Sequence, residues 1–447
     1  MKKSTHFSRT TIFRGTDFCA EIVAENAHFP PPHLDASRAL TFPASMSTPP
    51  LTGLRVVDLS RLVAGNIVTH KLADFGADVI KVEKPGRGDD LRHWRVEGVE
   101  TFWKAYCRNK RSIALDIRSP AGMEVLRRLI DSADVLVENF RPGTLEDMGL
   151  GPKTLHATNP GLIVLRISGW GQDGAYRDRP GFGSLVEAMS GFAAMNGFAD
   201  RPPVLPPIAL ADMIAGESGA TAVLLALRAR DRDGGGQVLD VSLVEPIFAA
   251  LGPQIANYRL TGRVQKRLGS MVEVAAPRNI YETRDGGYIA LSASTQATAE
   301  RVFRVIGRPE LIDDPRFKTN SDRVRNIEAC DKVVADFIGT RDRDDALRML
   351  TDAGVTAGLV ADASDLDGHP YIESRGLVVE ADDDDMGRFP MHGVSPRLSS
   401  TPGEIRHVGP KLGEHSTAVL EDLDYGSEEI AALIDKGVVE TSDQKTQ

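Results

Sequence analysis

The sequence predicts an α/β fold with a doubly wound, Rossmann-like large domain and a smaller α+β domain. Short apolar runs alternate with amphipathic helical segments through the first half of the chain, a pattern typical of a parallel sheet buried on both faces. The second half changes to a hairpin followed by helices. With 447 residues, the chain is also too long for one ordinary hydrophobic core, so two domains are expected.

The alternation of strands and helices begins near residue 54. Six strands are predicted, over 54–59, 78–82, 112–117, 134–137, 162–167 and 237–243. A helix is predicted over 66–75, where Gly76 ends it. Ser119 and Pro120 are typical of the N-cap and first position of another helix. The segment 182–228 is helical in pattern and contains many small residues.

Beyond residue 250 the pattern is that of an α+β unit. Asp285-Gly286-Gly287 predicts the turn of a hairpin over 280–294, and helices are predicted over 296–306, 321–338 and 342–352. A stretch rich in Pro, Gly and Asp follows over 361–412, before two short helices. Its four consecutive acids, 382–385, are expected in a solvated loop.

These patterns divide the chain into four predicted parts. They are a mobile N-terminal extension over 1–50, a large domain over 51–250, a small domain over 275–360, and a C-terminal segment over 361–447. The last helices of the C-terminal segment are expected to return to the large domain.

Composition argues against several classes of protein. The formal net charge is −10, so a nucleic-acid partner is not expected. The three cysteines, Cys19, Cys107 and Cys330, are far apart, and no two of the ten histidines have helical ligand spacing, so neither a disulfide framework nor a metal site is predicted. No apolar run reaches 18 residues, and no apolar segment follows Met1-Lys2-Lys3 as in a secretory signal. We therefore expect no membrane partner and a cytoplasmic protein, or a mitochondrial matrix protein if the source is eukaryotic.

A glycine motif after the fifth strand has the form G-x-G-x-x-G, from Gly169 to Gly174. A dinucleotide site also requires a helix that begins at this loop. Pro180-Gly181 follows instead and disfavours such a helix. The sequence contains neither a P-loop nor a G-x-S-x-G motif.

Basic residues cluster near the predicted strand ends, where open parallel sheets bind ligands. They are Lys84, Arg87, Lys110, Arg111 and Arg141. They predict either a crevice for an anionic, nucleotide-like ligand or ordinary surface charges.

Asp212 is the candidate catalytic residue, because it lies near the start of a helix among Ala and Gly residues that would let an acyl group approach. An N-cap role for this aspartate is the alternative. These patterns alone do not identify a reaction.

Eight segments together resemble the class III CoA-transferases, the group that includes formyl-CoA transferase, carnitine CoA-transferase and α-methylacyl-CoA racemase. The resemblance runs from about Leu51 to Val439. The segments are LTGLRVVDLSRLVAG, GADVIKVEKPGRGD, NKRSIALDIRSPAG, ADVLVENFRPG, PGFGSLVEAMSG, IALADMIAGESGA, GGGQVLDVSL and LGEHSTAVL. The resemblance implies a ring-shaped chain that forms an interlocked homodimer.

The resemblance also implies a mechanism and a site. Asp212 would be the nucleophile, forming an aspartyl anhydride and then an aspartyl-CoA thioester. Coenzyme A or acyl-CoA would be a substrate, with no permanently bound cofactor. The implied CoA-binding residues are Val63, Ala64, Lys84, Leu115, Asp116, Ile117, Arg118, Asn139, Phe140 and Arg141.

The segment GFGSLVEAMSGF and the segment PPVLPP before Asp212 most resemble those of family members that act on C4–C6 dicarboxylates. This resemblance implies a C4–C6 dicarboxylate as acceptor, with succinyl-CoA as donor. Candidate cations for the carboxylate that does not react are Arg177, Arg179 and Arg278, although each could equally be structural. Asp147 stands where the oxalate enzyme has an arginine that contacts a CoA phosphate, so that contact is not expected here unless Arg141 supplies the charge. The oxalate enzyme also has a glycine-rich loop over its active site, and none occurs over 255–280, so oxalate and formate are disfavoured.

Two alternative functions stay open. One is an acyl-CoA racemase or isomerase of the same family. Phe182 disfavours it, because the racemase branch has a histidine there that exchanges a proton. The other is a non-catalytic acyl-CoA-binding protein.

Overall fold

The computed structural model describes residues 48–443, so the predicted N-terminal extension over 1–50 lies, apart from its last three residues, outside the described residues. The strands in this range are β1 Arg55–Asp58, β2 Asp78–Glu83, β3 Arg111–Leu115, β4 Val135–Glu138, β5 Ile163–Ser168, β6 Val238–Ser242, β7 Arg278–Glu282, β8 Tyr288–Ser292, β9 Ala357–Leu359, β10 Val378–Asp383, β11 Gly387–His392 and β12 Val439–Glu440.

The helices fall between these strands, with 3₁₀ turns at Asp90–His93 and Pro309–Ile312. They are α1 Ala64–Asp74, α2 Thr101–Tyr106, α3 Pro120–Asp131, α4 Thr144–Asp147, α5 Pro152–Thr158, α6 Gly183–Met189, α7 Phe192–Met195, α8 Leu210–Asp233, α9 Val244–Ala250, α10 Gln254–Thr261, α11 Gln296–Val305, α12 Asn320–Arg325, α13 Ile327–Ile338, α14 Arg343–Asp352, α15 Ala363–Leu366, α16 Pro370–Ser374, α17 Ser416–Glu421 and α18 Ser427–Asp435.

The largest sheet has seven strands in the order β12-β3-β2-β1-β4-β5-β6. All neighbours are parallel except β12, which pairs antiparallel with β3. The large parallel sheet of the predicted α/β fold is therefore confirmed. The order 3-2-1-4-5-6 reverses between β1 and β4, and a crevice for ligands is expected beyond the carboxyl ends of those two strands.

Both faces of this sheet are covered, which explains the near-continuous apolar strands. Along β1, Val56 belongs to the apolar cluster that includes residues of α1 and α8. Its neighbour Val57 belongs to the cluster that includes residues of α3, α17 and α18. Because successive side chains point to opposite faces, a strand covered on both sides has no polar alternation.

Helices α1 and α8 approach each other closely. A Cβ added to Gly216 would lie 2.5 Å from Cβ of Ile67, and one added to Gly219 would lie 2.8 Å from Cγ2 of Val68. The small residues of α8 therefore fix the position of the helix that begins two residues before Asp212.

Helix α8 is the one helix in the described range that is long and apolar enough to cross a membrane. Core helices of folded proteins also have this length and composition, so the property is weak evidence for a membrane span.

The remaining sheets are antiparallel. Strands β7, β8 and β9 form a three-stranded sheet, and residues of that sheet share an apolar cluster with α11, α13 and α14. The helix predicted over 321–338 is broken at Asn326, which separates α12 from α13. Strands β10 and β11 form a hairpin that was not predicted.

The four acids 382–385 correct another expectation. They belong to the end of β10 and its turn, and Asp383 is buried. Lys104 pairs with Asp383 and Asp385, and Lys411 pairs with Asp384. The acids therefore attach the hairpin to the rest of the protein through ion pairs, whereas a wholly solvated loop was predicted.

Candidate active site

Asp212 occupies the first turn of α8, where its carboxylate is half-buried. Residue Ala209 precedes the helix and makes no side-chain cap. The buried carboxylate of Glu187, from α6, accepts the backbone N–H of Ala211 at 3.0 Å. Glu187 thus satisfies one of the free N–H groups of the first turn. Asp212 is the third residue of the helix and Ala209 is the N-cap, so Asp212 does not have the N-cap role that was the alternative predicted for it.

Gly183 leaves the space that the Asp212 carboxylate occupies. A Cβ added to Gly183 would overlap with Oδ2 of Asp212. Any other residue at this position would push the carboxylate aside. The first residue of α6 therefore determines where the oxygen atoms of Asp212 lie.

The environment of Asp212 raises the pKa of its carboxyl group to about 6. Burial is the larger cause, because it disfavours the charged form, and the like charge of Glu187 adds to it. At neutral pH the group is still mostly ionised, and it is less well solvated than a surface carboxylate. Such a group can act as a nucleophile toward an acyl carbon.

A cavity of about 430 Å³ opens beside Asp212. We call it the Asp212 cavity; its lining includes Asp212, Arg141, Arg177 and Arg179. Ala64, Asn139 and Phe140 also line it. The guanidinium group of Arg179 stacks 3.6 Å from the ring centroid of Tyr176, which restricts its orientation.

A second cavity, of about 720 Å³, lies at the carboxyl ends of β2 and β3. We call it the Lys84 cavity. The predicted residues that line it are Lys84, Leu115, Asp116, Ile117, Arg118 and Phe140. The two cavities share Arg61, Asp90 and Phe140 and therefore adjoin. Together they occupy the predicted crevice where the strand order reverses.

The sequence profile of CoA-transferase family III matches residues 51–416, which is most of the chain. The chain belongs to CoA-transferase family III. Curated relatives of this family III chain include the succinyl-CoA–D-citramalate CoA-transferase of Chloroflexus aurantiacus, 41% identical over 377 residues, or 84% of this chain and 94% of the relative. The succinyl-CoA:glutarate CoA-transferase of Homo sapiens is 32% identical over 395 residues, or 88% of this chain and 90% of the relative.

The fold of this family III CoA-transferase also matches solved structures. A CAIB/BAIF family protein from Brucella suis aligns with a TM-score of 0.75 and 36% identity, covering 85% of this chain and all of that protein. The protein Rv3272 from Mycobacterium tuberculosis aligns with a TM-score of 0.73 and 29% identity, covering 83% of this chain and 99% of that protein.

Three residues discussed from the sequence lie outside both cavities. The side chain of Val63 is buried in an apolar cluster with Ile67 and Leu91. Arg278 lines a separate cavity and donates to the carbonyl oxygen of Ser270 at 2.7 Å. Asp147 is exposed at the end of α4. Within one chain, therefore, neither the Val63 side chain nor Arg278 lines the cavity beside Asp212.

Two of the basic residues near the predicted strand ends, Lys110 and Arg111, are held in ion pairs. Lys110 is fully buried and pairs with Asp58 at 3.1 Å. Arg111 pairs with Asp78 at 3.4 Å and with Asp422 at 2.8 Å. Both precede or begin β3, at its amino end, so these cations are structural.

The first glycine of the G-x-G-x-x-G motif lies where two backbone segments come into close contact. A Cβ added to Gly169 would lie 2.7 Å from Cα of Gly181, so only glycine permits this approach. No helix begins in the described chain between β5 and α6. The loop therefore lacks the helix of a dinucleotide site, as the sequence predicted.

Sequence reasoning did not identify Glu187 or Arg61 as parts of the site. Glu187 could have been noticed as an acid within the otherwise apolar segment GSLVEAM, four residues after Gly183. Arg61 lies two residues after the apolar run 54–59 that contains β1, and a charged residue just beyond a strand end is such a signal. Within the described residues, no group of three or more His, Cys, Asp or Glu side chains is arranged to hold a metal ion.

Proposed function

We propose that this family III CoA-transferase moves CoA from succinyl-CoA to a C4–C6 dicarboxylate, with Asp212 as the nucleophile. The observation that carries the proposal is the half-buried Asp212 carboxylate, which lines a cavity with four arginines and has its pKa raised to about 6. The names of the relatives support the substrates, because they act on citramalate, malate or glutarate with succinyl-CoA or succinate.

In the first half of the reaction, a carboxylate oxygen of Asp212 attacks the thioester carbonyl carbon of succinyl-CoA. The carbon–sulfur bond breaks, CoA leaves as a thiolate, and a mixed anhydride joins Asp212 to succinate. The thiolate then attacks the side-chain carbonyl carbon of Asp212. The anhydride bond breaks, succinate leaves, and CoA is held as a thioester of Asp212.

In the second half, the acceptor carboxylate attacks the Asp212 thioester and displaces the CoA thiolate. The thiolate then attacks the acyl carbon of the new anhydride, which releases acyl-CoA and the Asp212 carboxylate. No net proton, metal or redox equivalent is consumed. Each tetrahedral intermediate carries an oxyanion, which nearby backbone N–H groups would stabilise.

The second carboxylate of the acceptor requires a cation. Arg177 and Arg179 are the candidates, because both are exposed and line the Asp212 cavity. A guanidinium group matches a carboxylate with two parallel hydrogen bonds. We expect Arg177→Gln or Arg179→Gln to raise the KM for the dicarboxylate more than the KM for succinyl-CoA.

The experiment that tests the function uses succinyl-CoA with a panel of mono- and dicarboxylic acids and detects each new acyl-CoA by mass spectrometry. We expect transfer to C4–C6 dicarboxylates at higher kcat/KM than to monocarboxylates. Equal values would contradict recognition of the second carboxylate. Binding of CoA esters without exchange of label between succinate and succinyl-CoA would instead support the non-catalytic alternative.

We also propose that the chain forms a homodimer. Helix α10 has no buried residue, and the apolar side chains in it and just after it are exposed, including Ile255, Tyr258, Leu260 and Val264. Exposed apolar surface of this kind commonly marks a protein interface. A second copy of the chain is the partner that the resemblance to the family implies.

A further inference from the structure

Arg61 lies where the two cavities meet, and its backbone is held on both sides. Its N–H donates to Oδ1 of Asn139 at 2.9 Å, and its carbonyl oxygen accepts from Nδ2 of the same amide at 2.8 Å. The Asn139 side chain, for which the resemblance implied contact with CoA, therefore orients Arg61 with both of its polar atoms.

The residue after Arg61 is fixed in an unusual conformation. Leu62 has a φ of 63°, in the left-handed region that non-glycine residues rarely adopt. Its N–H donates to Oδ1 of Asp89 at 2.9 Å, and buried Lys81 holds Asp89 Oδ2 at 3.0 Å. Such strain persists only where the surroundings enforce it, and it commonly marks functional loops.

The guanidinium group of Arg61 is exposed and only loosely paired, so a ligand can reach it. Its side chain is 60% exposed, and its ion pair with Asp90 is long, at 3.6 Å. Asp90 also pairs with Arg87 at 2.7 Å. Among the described residues, Arg61 is the only basic residue that lines both cavities.

We propose that Arg61 binds the diphosphate of CoA, an inference that rests on the proposed function. The thioester must reach Asp212 at one end of the paired cavities, so the nucleotide end of the same linear molecule lies in the Lys84 cavity. The segment between them passes Arg61. The diphosphate is the only charged group in that segment, since the pantetheine amides are neutral. A guanidinium group pairs with phosphate oxygens through two parallel hydrogen bonds. On binding CoA, the Arg61 guanidinium would leave Asp90 and pair with the diphosphate oxygens.

The test compares donors with and without the diphosphate in Arg61→Gln and in the wild type. With succinyl-CoA as donor, we expect kcat/KM to fall roughly 10- to 100-fold in the variant. With succinyl-pantetheine, which lacks both the diphosphate and the nucleotide, we expect variant and wild type to agree within about twofold. Dephospho-CoA thioester should show the same loss as succinyl-CoA, because only the 3′-phosphate is missing.

Several results would overturn the assignment. An equal loss with succinyl-pantetheine, or a rise in the KM for the acceptor alone, would place Arg61 at the acyl group or the acceptor. A loss confined to donors with the 3′-phosphate would assign it to that group. Arg348→Gln is the matched control, since Arg348 is an exposed arginine paired with Asp345 outside both cavities. Calorimetric titration with CoA separates this proposal from the function, because weaker binding by Arg61→Gln would be measurable even if the wild type transferred nothing.

Discussion

At the scale of single residues, the reactivity of Asp212 depends on two neighbours in α6. Gly183 leaves room for the carboxylate, and Glu187 takes over the N–H group that an N-terminal acid would otherwise accept. Glu187 also contributes to the raised pKa of Asp212, after burial. The nucleophile is therefore positioned and tuned by two residues of α6, Gly183 and Glu187, which come earlier in the chain.

The pH dependence of transfer should report this tuning. Because the ionised form attacks, kcat/KM should rise with pH up to about 6, where Asp212 titrates, and level off above it. Glu187→Gln keeps an oxygen for the Ala211 N–H but removes the like charge, so the pKa of Asp212 should fall and the midpoint should move to lower pH. The measurement is succinate–succinyl-CoA exchange from pH 5 to 8 in both proteins. Because the substrates ionise identically in the two experiments, a difference in midpoint reports the enzyme. An unchanged midpoint would contradict the role of Glu187.

Gly183→Ala tests the position of the carboxylate. The added methyl group would overlap with Oδ2 of Asp212, so we expect turnover to fall roughly 100-fold or more, since misplacing a reacting group by about 1 Å has effects of that size. Gly235→Ala is the matched control, because a Cβ there meets no atom within 4 Å. Circular dichroism should show that both variants fold. Activity of Gly183→Ala within twofold of the wild type would refute the steric argument.

At the scale of the elements, a buried ion-pair network joins β1, β2 and the loop before β3. Lys81 contacts Asp58 at 3.3 Å and Asp89 at 3.0 Å, and Lys110 contacts Asp58. Burial opposes the ionisation of Asp58, but the two lysines together with hydrogen bonds from Ser60 and Thr69 outweigh it and lower the pKa of its carboxyl group to about 2. The network holds the strand ends from which the site loops begin.

Lys81→Met should be strongly destabilising, because it leaves two buried carboxylates short of a partner. Breaking a buried ion pair costs about 3–5 kcal/mol, and we expect the midpoint of thermal unfolding to fall by roughly 5–10 °C. Lys332→Met is the control, since Lys332 pairs with Asp336 on the surface, and it should leave the midpoint unchanged. Equal midpoints for both variants would show that the network contributes nothing.

Elements whose patterns are local were predicted well, and those that depend on distant partners were not. The strands β1, β4 and β5 could be predicted because burial on both faces makes them nearly continuously apolar. The hairpin of β10 and β11 could not, because Asp383 is matched by Lys104, 279 residues earlier. The role of Lys110 could not be predicted for the same reason: the sequence left a ligand-binding cation and a surface charge as alternatives, and its buried partner Asp58 is 52 residues away.

At the scale of the whole molecule, the exposed apolar run around α10 predicts a dimer at micromolar concentration. Leu260 is 86% exposed, so Leu260→Asp should not disturb the fold of a single chain. If a second copy covers this surface, the substitution should weaken the dimer, because burying an unpaired charge is costly. Sedimentation velocity would measure this, and a wild-type monomer at micromolar concentration would contradict the proposal.

The central claim concerns the whole catalytic cycle and is tested most directly by isolating the intermediate on the enzyme. Wild-type protein and Asp212→Ala are incubated with succinyl-CoA, treated with hydroxylamine, digested and analysed by mass spectrometry. We predict a hydroxamate at Asp212 in the wild type, no modified peptide in Asp212→Ala, and turnover at least roughly 1,000-fold lower in that variant. Normal turnover by Asp212→Ala, or trapping at a different residue, would contradict the account.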